Sequence, residues 1–266
     1  MRFTKMHGCG NDFVVLDTSE VEGADLPALA RRLCDRHFGV GADGLLVPAP
    51  SEAADLRMVY LNSDGSTAEM CGNGLRCLVR YARDRDLVRA DDLSVETGAG
   101  VKRVRLGSNG SSRVEMGPPE VGGSVALHGY TFRLVSMGNP HAVAFLESRE
   151  AVEELDLAGI GPLVERDAAF PEGVNVEFVH APGGGEIRMR IWERGAGETL
   201  ASGSGSCASA VAAISAGAAT SPVSVVLDGG TVDVEWAGGG SPVYMSGPAH
   251  YVFEGELPES PVREPY

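Results

Sequence analysis

AEMCGNGLRCLVRYARD (residues 68–84) and ETLASGSGSCASA (residues 198–210) are two stretches of this chain with one shared pattern. Each has an acid, then a small nucleophile-type residue, then Gly-x-Gly, then residues that suit a helix. The first stretch has Cys71 before its glycines, and the second has Ser202. Because the same turn is encoded twice, we expect two related halves, each with one glycine-headed helix.

Short runs that favour strands surround both turns, and most end at Gly, Pro, Asn or Asp, which are turn residues. They are 13–16, 45–47, 57–60, 101–106, 142–145, 174–179, 187–192 and 223–227. Helical patterns are fewer, at 27–36, 74–85, 151–155 and 208–218. The last is built of small residues, so we expect it to be packed on all sides. The order of elements predicts an α+β fold, with strands wrapped around each glycine-headed helix.

Composition excludes several classes of protein. The chain has 266 residues and a net charge of −15, and an acidic surface disfavours nucleic-acid binding. We expect no membrane span and no signal peptide, because no apolar run reaches about 18 residues and the N-terminus lacks an apolar segment. Five irregularly spaced cysteines without a CxxC pair argue against a disulfide framework or a zinc site. A reducing cytoplasm with free thiols fits best.

The turn at Cys71 suits chemistry on an anion. Backbone N–H groups and the positive end of the dipole at a helix start stabilise a thiolate, and the glycines let a carboxylate approach the same N–H groups. An inert buried cysteine and an ordinary serine cap are the alternatives. The polar flank NSDGSTAEMCGNG favours a site. GSGSCA also matches a dinucleotide fingerprint, but no strand runs directly into its first glycine, which disfavours nicotinamide binding.

Polar residues suited to a zwitterion occur in several turn-like contexts. Each asparagine alone is typical of a turn, but together they offer neutral donors and acceptors. Glu193 suits an ammonium group, and Arg194 suits bidentate carboxylate binding, although solvated surface charge is the alternative. The asparagines are Asn11, Asn62, Asn139 and Asn175.

These stretches together resemble the diaminopimelate epimerase family over nearly the whole chain. The matching motifs, in order, are FTKMHGCGNDFVVLD, RHFGVGADGLLV, NSDGSTAEMCGNGLRC, VSMGNPHAV, GVNVEFV and ERGAGETLASGSGSCASAVAA. The resemblance implies two pseudo-repeated domains, each a β-barrel-like sheet around a central helix, with the active site in the cleft between them. The stretch EMGPPEVGGS near 115–124 is by itself a candidate hinge between two similar units, and the resemblance implies that the segment after about Phe253 returns to the first domain. The domains expected are 1–117 plus about 253–266, and 118–252.

The resemblance implies a cytoplasmic isomerase that converts LL-diaminopimelate into the meso form, for lysine and cell-wall precursors, without a cofactor or a metal. Cys71 and the residue at 202 are then the acid and base on opposite faces of one carbon. The implied partner is a small zwitterionic substrate, and a homodimer is one option. The implied substrate-binding residues are Asn11, Asn62, Gly72, Asn73, Asn139, Asn175, Glu193, Arg194, Gly203 and Ser204, with His141 in a supporting role.

One position departs from the family pattern, which has Cys where this chain has Ser202. Cys207 lies five residues further on, at a non-catalytic family position. A hydroxyl is a far weaker acid than a thiol, so we expect impaired epimerisation, through an engineered replacement or a natural divergence. Two alternatives follow: a related isomerase or eliminating enzyme that acts on another amino acid, or a binding protein without turnover.

Overall fold

The computed structural model describes residues 1–107 and 110–258. The strands are β1 Arg2–Gly8, β2 Asn11–Val15, β3 Gly44–Ala49, β4 Leu56–Asn62, β5 Asp92–Thr97, β6 Gly100–Leu106, β7 Ser111–Gly117, β8 Glu120–Leu127, β9 Tyr130–Ser136, β10 Pro140–Phe145, β11 Asn175–His180, β12 Glu186–Glu193, β13 Gly197–Thr199, β14 Val223–Leu227, β15 Gly230–Glu235, β16 Val243–Pro248 and β17 His250–Glu256. The helices are α1 Leu26–Cys34, α2 Gly72–Asp84, α3 Arg149–Glu153, α4 Leu157–Glu165 and α5 Gly203–Ser215.

The chain divides into two compact units. The first comprises Met1–Ser112 and the described residues from Pro248 onward, and the second comprises Arg113–Gly247. The sequence analysis placed both boundaries about five residues later. The difference arises because β7 pairs with β16, which draws its residues into the second unit. Residues 259–266 of the predicted first domain lie outside the described part of the chain.

In the first unit the strands follow the order β17-β1-β2-β3-β4-β5-β6. The successive pairings are antiparallel, antiparallel, parallel, antiparallel, parallel and antiparallel. Parallel neighbours need a long crossover, and each crossover here contains a helix. Helix α1 connects β2 to β3, and α2 connects β4 to β5.

The second unit repeats this topology. Its order β8-β9-β10-β11-β12-β14-β15 has the same succession of antiparallel and parallel pairings. Helices α3 and α4 lie in the crossover from β10 to β11, and α5 lies in the crossover from β12 to β14. The predicted α+β fold with two repeats is confirmed.

Each unit surrounds one helix with its sheet. Helix α2 packs against β1, β2, β3, β4 and β6, and α5 packs against β9, β10, β11, β12, β14 and β15. A helix that contacts strands throughout a sheet requires that the sheet curve around it. Every residue of α5 from Gly205 to Ala213 is buried, as expected from its small side chains, but the helix ends at Ser215 and residues 215–217 of the predicted range 208–218 are exposed.

Three sequence expectations about elements were wrong. Helix α5 begins at Gly203, five residues before the predicted start, because Ser202 caps it and the glycines belong to its first turn. Helix α4 was missed because Pro162 and two glycines interrupt its pattern. A Cβ at Gly161 would lie 2.5 Å from the Trp192 ring, so close packing explains one of those glycines. The candidate hinge is mostly strand, with β7 ending at Gly117 and β8 starting at Glu120.

Candidate active site

Both nucleophile-type residues are helix N-caps with nearly the same backbone. Cys71 has φ −138° and ψ 119°, and Ser202 has φ −134° and ψ 125°. Cys71 Sγ accepts a hydrogen bond from the Gly74 N–H at 3.4 Å, and Ser202 Oγ accepts one from the Gly205 N–H at 3.3 Å. Each follows the equivalent strand of its unit. The repeat inferred from sequence is therefore a repeat of capping geometry.

The glycines of both turns make room for this geometry. A Cβ at Gly205 would lie 2.6 Å from Ile191 Cδ1 and 3.0 Å from Glu177 Oε1, and one at Gly74 would lie 3.1 Å from Met58 Cε, so a side chain at either position would force its neighbours to shift. The N–H groups of a helix's first turn have no intrahelical acceptor, and they attract anions together with the dipole. In this chain they belong to Gly72 and Asn73 in one unit and to Gly203 and Ser204 in the other.

A chain of side-chain hydrogen bonds passes beside Cys71. Arg76, which is completely buried, donates through Nη2 to Asn73 Oδ1 at 2.9 Å. Asn73 Nδ2 donates to Asn11 Oδ1 at 3.3 Å, and the Cys71 thiol donates to the same oxygen at 3.4 Å. Asn11 Nδ2 donates to Asp43 Oδ2 at 2.7 Å. Of the predicted residues, Asn11 therefore bonds directly to Cys71, and Asn73 bonds to the same oxygen of Asn11.

Asp43, the last residue in this series of hydrogen bonds, belongs to a cluster of charged residues. Arg36 pairs with Asp12 and with Asp43, each at 2.8 Å, and Lys5 pairs with Asp12 at 2.6 Å. Burial alone raises the pKa of Asp12, but hydrogen bonds from Arg36 and Lys5 outweigh it and lower that pKa to about 2. Asp12 is thus ionised at neutral pH. The Asp43 carboxylate accepts hydrogen bonds from the Asn11 amide, the Asp12 backbone N–H and Arg36.

The second turn is built around Glu193. Ser202, which is buried, donates its hydroxyl proton to Glu193 Oε2 at 3.1 Å. Thr199 donates to Glu193 Oε1 at 2.6 Å, which fixes the carboxylate. An ammonium group was the partner expected for Glu193 from sequence, and in the structure its carboxylate accepts hydrogen bonds from the Ser202 and Thr199 hydroxyls.

Beside the second turn lies a buried acid–imidazole pair. His141 Nδ1 and Glu177 Oε1 are 2.5 Å apart, and both side chains are fully buried. Burial raises the pKa of Glu177, and the nearby imidazole of His141 opposes that rise. His141 Nε2 lies 3.1 Å from Asn139 Oδ1, and Asn139 Nδ2 donates to Ser204 Oγ at 3.4 Å. Glu177 Oε2 has no hydrogen-bond partner among the described residues.

Asn175 and Arg194 are engaged in local contacts. Asn175, which is buried, donates to the Pro140 carbonyl at 2.9 Å and accepts from the Arg194 backbone N–H at 3.0 Å. The exposed Arg194 side chain donates through Nη1 to the Glu172 carbonyl at 3.1 Å. Asn175 thus fixes the backbone that follows Glu193.

Asn62 occupies the last position of β4, as Glu193 does in β12. Its Nδ2 donates to Ser66 Oγ at 2.9 Å within the turn that follows the strand. Its backbone carbonyl accepts from the Gly65 N–H at 2.9 Å. The two residues are therefore equivalent by topology, and Glu193 accepts a hydrogen bond from the helix cap of its own unit, Ser202.

Four residues of these networks were missed by the sequence analysis: Asp43, Arg76, Glu177 and Thr199. Asp43 and Arg76 lie inside motifs that were quoted for the resemblance, but nothing local indicates their partners. Glu177 had a usable signal, because it is an acid within the apolar run VNVEFV. A charge in a strand buried on both faces is rare unless it is paired.

Metal and dinucleotide binding find little support in the side chains present. Within residues 1–107 and 110–258, no group of three or more His, Cys, Asp or Glu side chains is placed to hold a metal ion. Strand β13 ends at Thr199, and three residues separate it from the first glycine of GSG. A dinucleotide fingerprint needs the strand to run into that glycine.

Among residues 1–107 and 110–258, none of the helices has the length and apolar character that a membrane span requires.

Comparison with known proteins decides the family. The family model described as "Diaminopimelate epimerase" matches residues 3–122 and 133–252. The chain belongs to the diaminopimelate epimerase family. It is 46% identical over 281 residues to the diaminopimelate epimerase of Moorella thermoacetica, with 97% of this chain and 99% of that protein covered. It is 43% identical over 275 residues to that of Pseudomonas syringae pv. tomato, with 97% and 99% covered.

Solved structures of other proteins share this fold. A phenazine biosynthesis protein of the PhzF family from Bacillus anthracis superposes with a TM-score of 0.76 at 16% identity, over 97% of this chain and 98% of that one. A probable proline racemase from Agrobacterium radiobacter K84 has a TM-score of 0.69 at 16% identity, over 99% and 94%. At such identities the likeness shows the fold alone.

Proposed function

We propose that this chain is a cofactor-independent epimerase that converts LL-diaminopimelate into the meso form. Family membership supports the substrate, because the relatives of known name at 43–46% identity are diaminopimelate epimerases. The observation that carries the chemistry is the duplicated cap, with Cys71 and Ser202 on nearly the same backbone. An epimerase needs one proton acceptor and one proton donor. The duplicated cap supplies two such groups, the thiol of Cys71 and the hydroxyl of Ser202.

The helix starts offer the means to bind the carboxylate next to the reacting carbon. We assign the backbone N–H groups of Gly72, Asn73, Gly203 and Ser204 to that carboxylate. Removing the α-proton drives negative charge onto the carboxylate oxygens. Preorganised N–H groups stabilise such developing charge without reorganising, and this is usually the largest single catalytic contribution.

The proton transfers follow from the residues at the two caps. In this proposal the Cys71 thiolate takes the α-proton and becomes a thiol, while the electron pair delocalises into the carboxylate. The Ser202 hydroxyl then delivers its proton to the opposite face, where the electron pair forms the new C–H bond, and the serine alkoxide that remains is reprotonated by solvent. Glu193 accepts a hydrogen bond from that hydroxyl, and this bond must break before the proton can be delivered; it does not make serine a stronger acid. The second transfer is therefore slow, which is the impairment expected from sequence.

The remaining predicted residues are proposed to hold the zwitterion. Asn11, Asn62, Asn139 and Asn175 supply neutral groups, Glu193 suits the ammonium, and Arg194 suits a carboxylate. The exposure of the Arg194 guanidinium supports that assignment, because its fork is accessible to a ligand. We further propose that His141 supports the site through its contact with Asn139.

A related isomerase or an eliminating enzyme is not favoured, since the named relatives are diaminopimelate epimerases. A reducing cytoplasm suits the five cysteines, none of which forms a disulfide within the described residues. A homodimer is one option that the family resemblance implies.

Stereoisomer analysis tests this function. We expect chelator-treated protein without pyridoxal phosphate to convert LL-diaminopimelate slowly into the meso form, and we expect Ser202→Cys to do so faster. Chromatographic separation of the isomers measures the conversion. Conversion by Ser202→Cys that stops with chelator and returns with added metal would contradict the cofactor-independent mechanism. No conversion by either form would contradict the epimerase assignment.

A further inference from the structure

Asn11 and Asn139 are equivalent residues that present opposite ends of their amides to the two caps. Each follows a glycine with positive φ, 83° at Gly10 and 93° at Gly138, at the start of equivalent strands β2 and β10. In the first unit the amide oxygen of Asn11 faces Cys71 and Asn73. In the second unit the amide nitrogen of Asn139 faces Ser204.

The neighbours on the other side account for this reversal. Asp43 is a carboxylate that only accepts, so Asn11 must turn its NH₂ group toward Asp43 and its oxygen toward Cys71. In the second unit His141 Nε2 lies 3.1 Å from Asn139 Oδ1 and donates to it in the tautomer that carries a proton on Nε2, and the NH₂ group of Asn139 then faces Ser204. The amide orientation at each cap is thus determined by a residue outside the cap.

We propose that Asp43 is a positioning residue that sets the protonation balance of Cys71 by fixing the Asn11 oxygen on the thiol. This inference rests on the proposed role of Cys71. The helix start favours the thiolate, whereas an acceptor on the S–H favours the thiol. Asp43 therefore determines how readily Cys71 gives up its proton, although it does not touch the sulfur. At the other end of this hydrogen-bond series, Arg76 donates to Asn73, which in turn donates to the Asn11 oxygen.

Other charged groups surround α2, and most are already paired. Lys5 is paired with Asp12, and Arg36 bridges Asp12 and Asp43, so replacing Asp43 leaves the Arg36–Asp12 and Lys5–Asp12 pairs in place. The groups on α2 and on the elements and segments around it are Lys5, His7, Asp12, Arg36, Asp43, Arg57, Glu69, Arg76, Arg80, Arg83, Asp84, Lys102, Arg103 and Arg105. A direct effect of the Asp43 charge must therefore be separated from its effect through Asn11.

A double-mutant cycle on thiol alkylation makes this separation. The rate of Cys71 alkylation by iodoacetamide at about pH 7 follows the thiolate fraction, since a free thiol has a pKa of about 8.5. It is read by mass spectrometry of the Cys71 peptide in the full-length protein without substrate. The variants are Asp43→Asn, Asn11→Ala and the double variant. The Asp43 side chain is 42% exposed, so the fold should tolerate its replacement.

We expect Asp43→Asn to accelerate alkylation about three- to tenfold, the factor that corresponds to one neutral hydrogen bond. Asn11→Ala should accelerate it at least as much, and Asp43→Asn should add nothing in the Asn11→Ala background. The acceleration should persist in about 0.5 M salt, because screening weakens long-range charge effects but not a short hydrogen bond. Equal acceleration with and without Asn11, loss of the effect in salt, or no acceleration would each overturn the proposal. Because no substrate is used, failure here is distinct from failure of the epimerase function.

Discussion

Replacing sulfur by oxygen at position 202 changes the acidity of one atom within a cap that otherwise matches its counterpart. The backbone angles at Ser202 lie within six degrees of those at Cys71, and both caps accept from the third residue of their helix. The N–H groups of Gly203 and Ser204 belong to the backbone, so they do not depend on which atom precedes them. Single-residue effects at this position should therefore appear in proton transfer and not in substrate affinity.

Arg194 provides the prediction for the substrate clamp. Arg194→Lys keeps the charge but loses the planar fork, so affinity for diaminopimelate should fall by about 1.5–3 kcal/mol, the scale of a hydrogen bond to a charged group. Calorimetry measures the change. Arg166→Lys, at another exposed arginine of the same unit, is the matched control. Equal affinity of the two variants would remove Arg194 from the clamp.

At the scale of single elements, β10 and β11 carry a buried polar pair where β2 and β3 carry an apolar one. The parallel register aligns Phe13 with Gly44 and His141 with Asn175. Phe13 therefore corresponds to His141, and Leu46 corresponds to Glu177, two residues further along each strand. In the first unit, Phe13 and Leu46 therefore fill with apolar side chains the two positions that His141 and Glu177 occupy in the second unit.

The first unit thus supplies the design for a stability test. His141→Phe with Glu177→Leu should leave the protein as stable or up to about 4 kcal/mol more stable, as for other buried pairs exchanged for apolar residues. Glu177→Leu alone should cost about 3–5 kcal/mol, because the buried imidazole loses its partner. Urea unfolding measures both. Epimerisation by the double variant should fall, since Asn139 loses its contact. A double variant clearly less stable than the unchanged protein would show that the pair itself contributes to stability.

The caps were predictable from sequence because a cap is local. Gly-x-Gly after Cys71 and Ser202 is visible within a few residues, and the first-turn geometry follows from it. The partners of the asparagines were not predictable, because they come from distant strands. Asn11 and Asp43 are 32 residues apart, and His141 and Glu177 are 36 apart. Such pairs depend on strand register, which one sequence does not reveal.

The early start of α5 was missed for a local reason. The glycines and serines of its first turn have low helix propensity, so the sequence pattern does not indicate a helix there.

At the scale of the whole molecule, acid stability should depend on the charged cluster of the first unit. Hydrogen bonds from Arg36 and Lys5, against the opposing effect of burial, lower the pKa of Asp12 from its ordinary 3.8 to about 2. A lowered folded-state pKa contributes stability above the ordinary value, and that contribution disappears as the pH falls toward about 2. Asp12→Asn should therefore destabilise the protein near neutral pH but much less at about pH 2.5.

Urea midpoints of the two forms at both pH values measure this difference. Glu22→Gln, at an exposed acid of the same unit, is the control and should change little at either pH. A difference between the Asp12→Asn form and the unchanged protein that stays constant with pH would show that the carboxylate contributes through packing and not through its charge.

The duplication of the chain makes the proposed mechanism testable. In that proposal the two caps act on opposite faces of one carbon, and the atom at each cap decides whether that face can exchange a proton. The present form has its single cap thiol at position 71. Ser202→Cys gives both caps a thiol, Cys71→Ser gives neither one, and Cys71→Ser with Ser202→Cys moves the only thiol to the second cap. The four forms differ in sulfur and oxygen alone.

The most direct measurement is exchange of the α-hydrogen in heavy water, followed by NMR for each epimer beside formation of the other. We predict that the present form exchanges one epimer faster than it forms product, and that the form with the moved thiol exchanges the other epimer. Ser202→Cys should exchange both and epimerise faster by about 10²–10⁴, the usual value of a positioned acid or base. Cys71→Ser should exchange neither. If the moved thiol exchanges the same epimer as Cys71 does, or if the serine form epimerises as fast as Ser202→Cys, then the two caps do not serve opposite faces as acid and base.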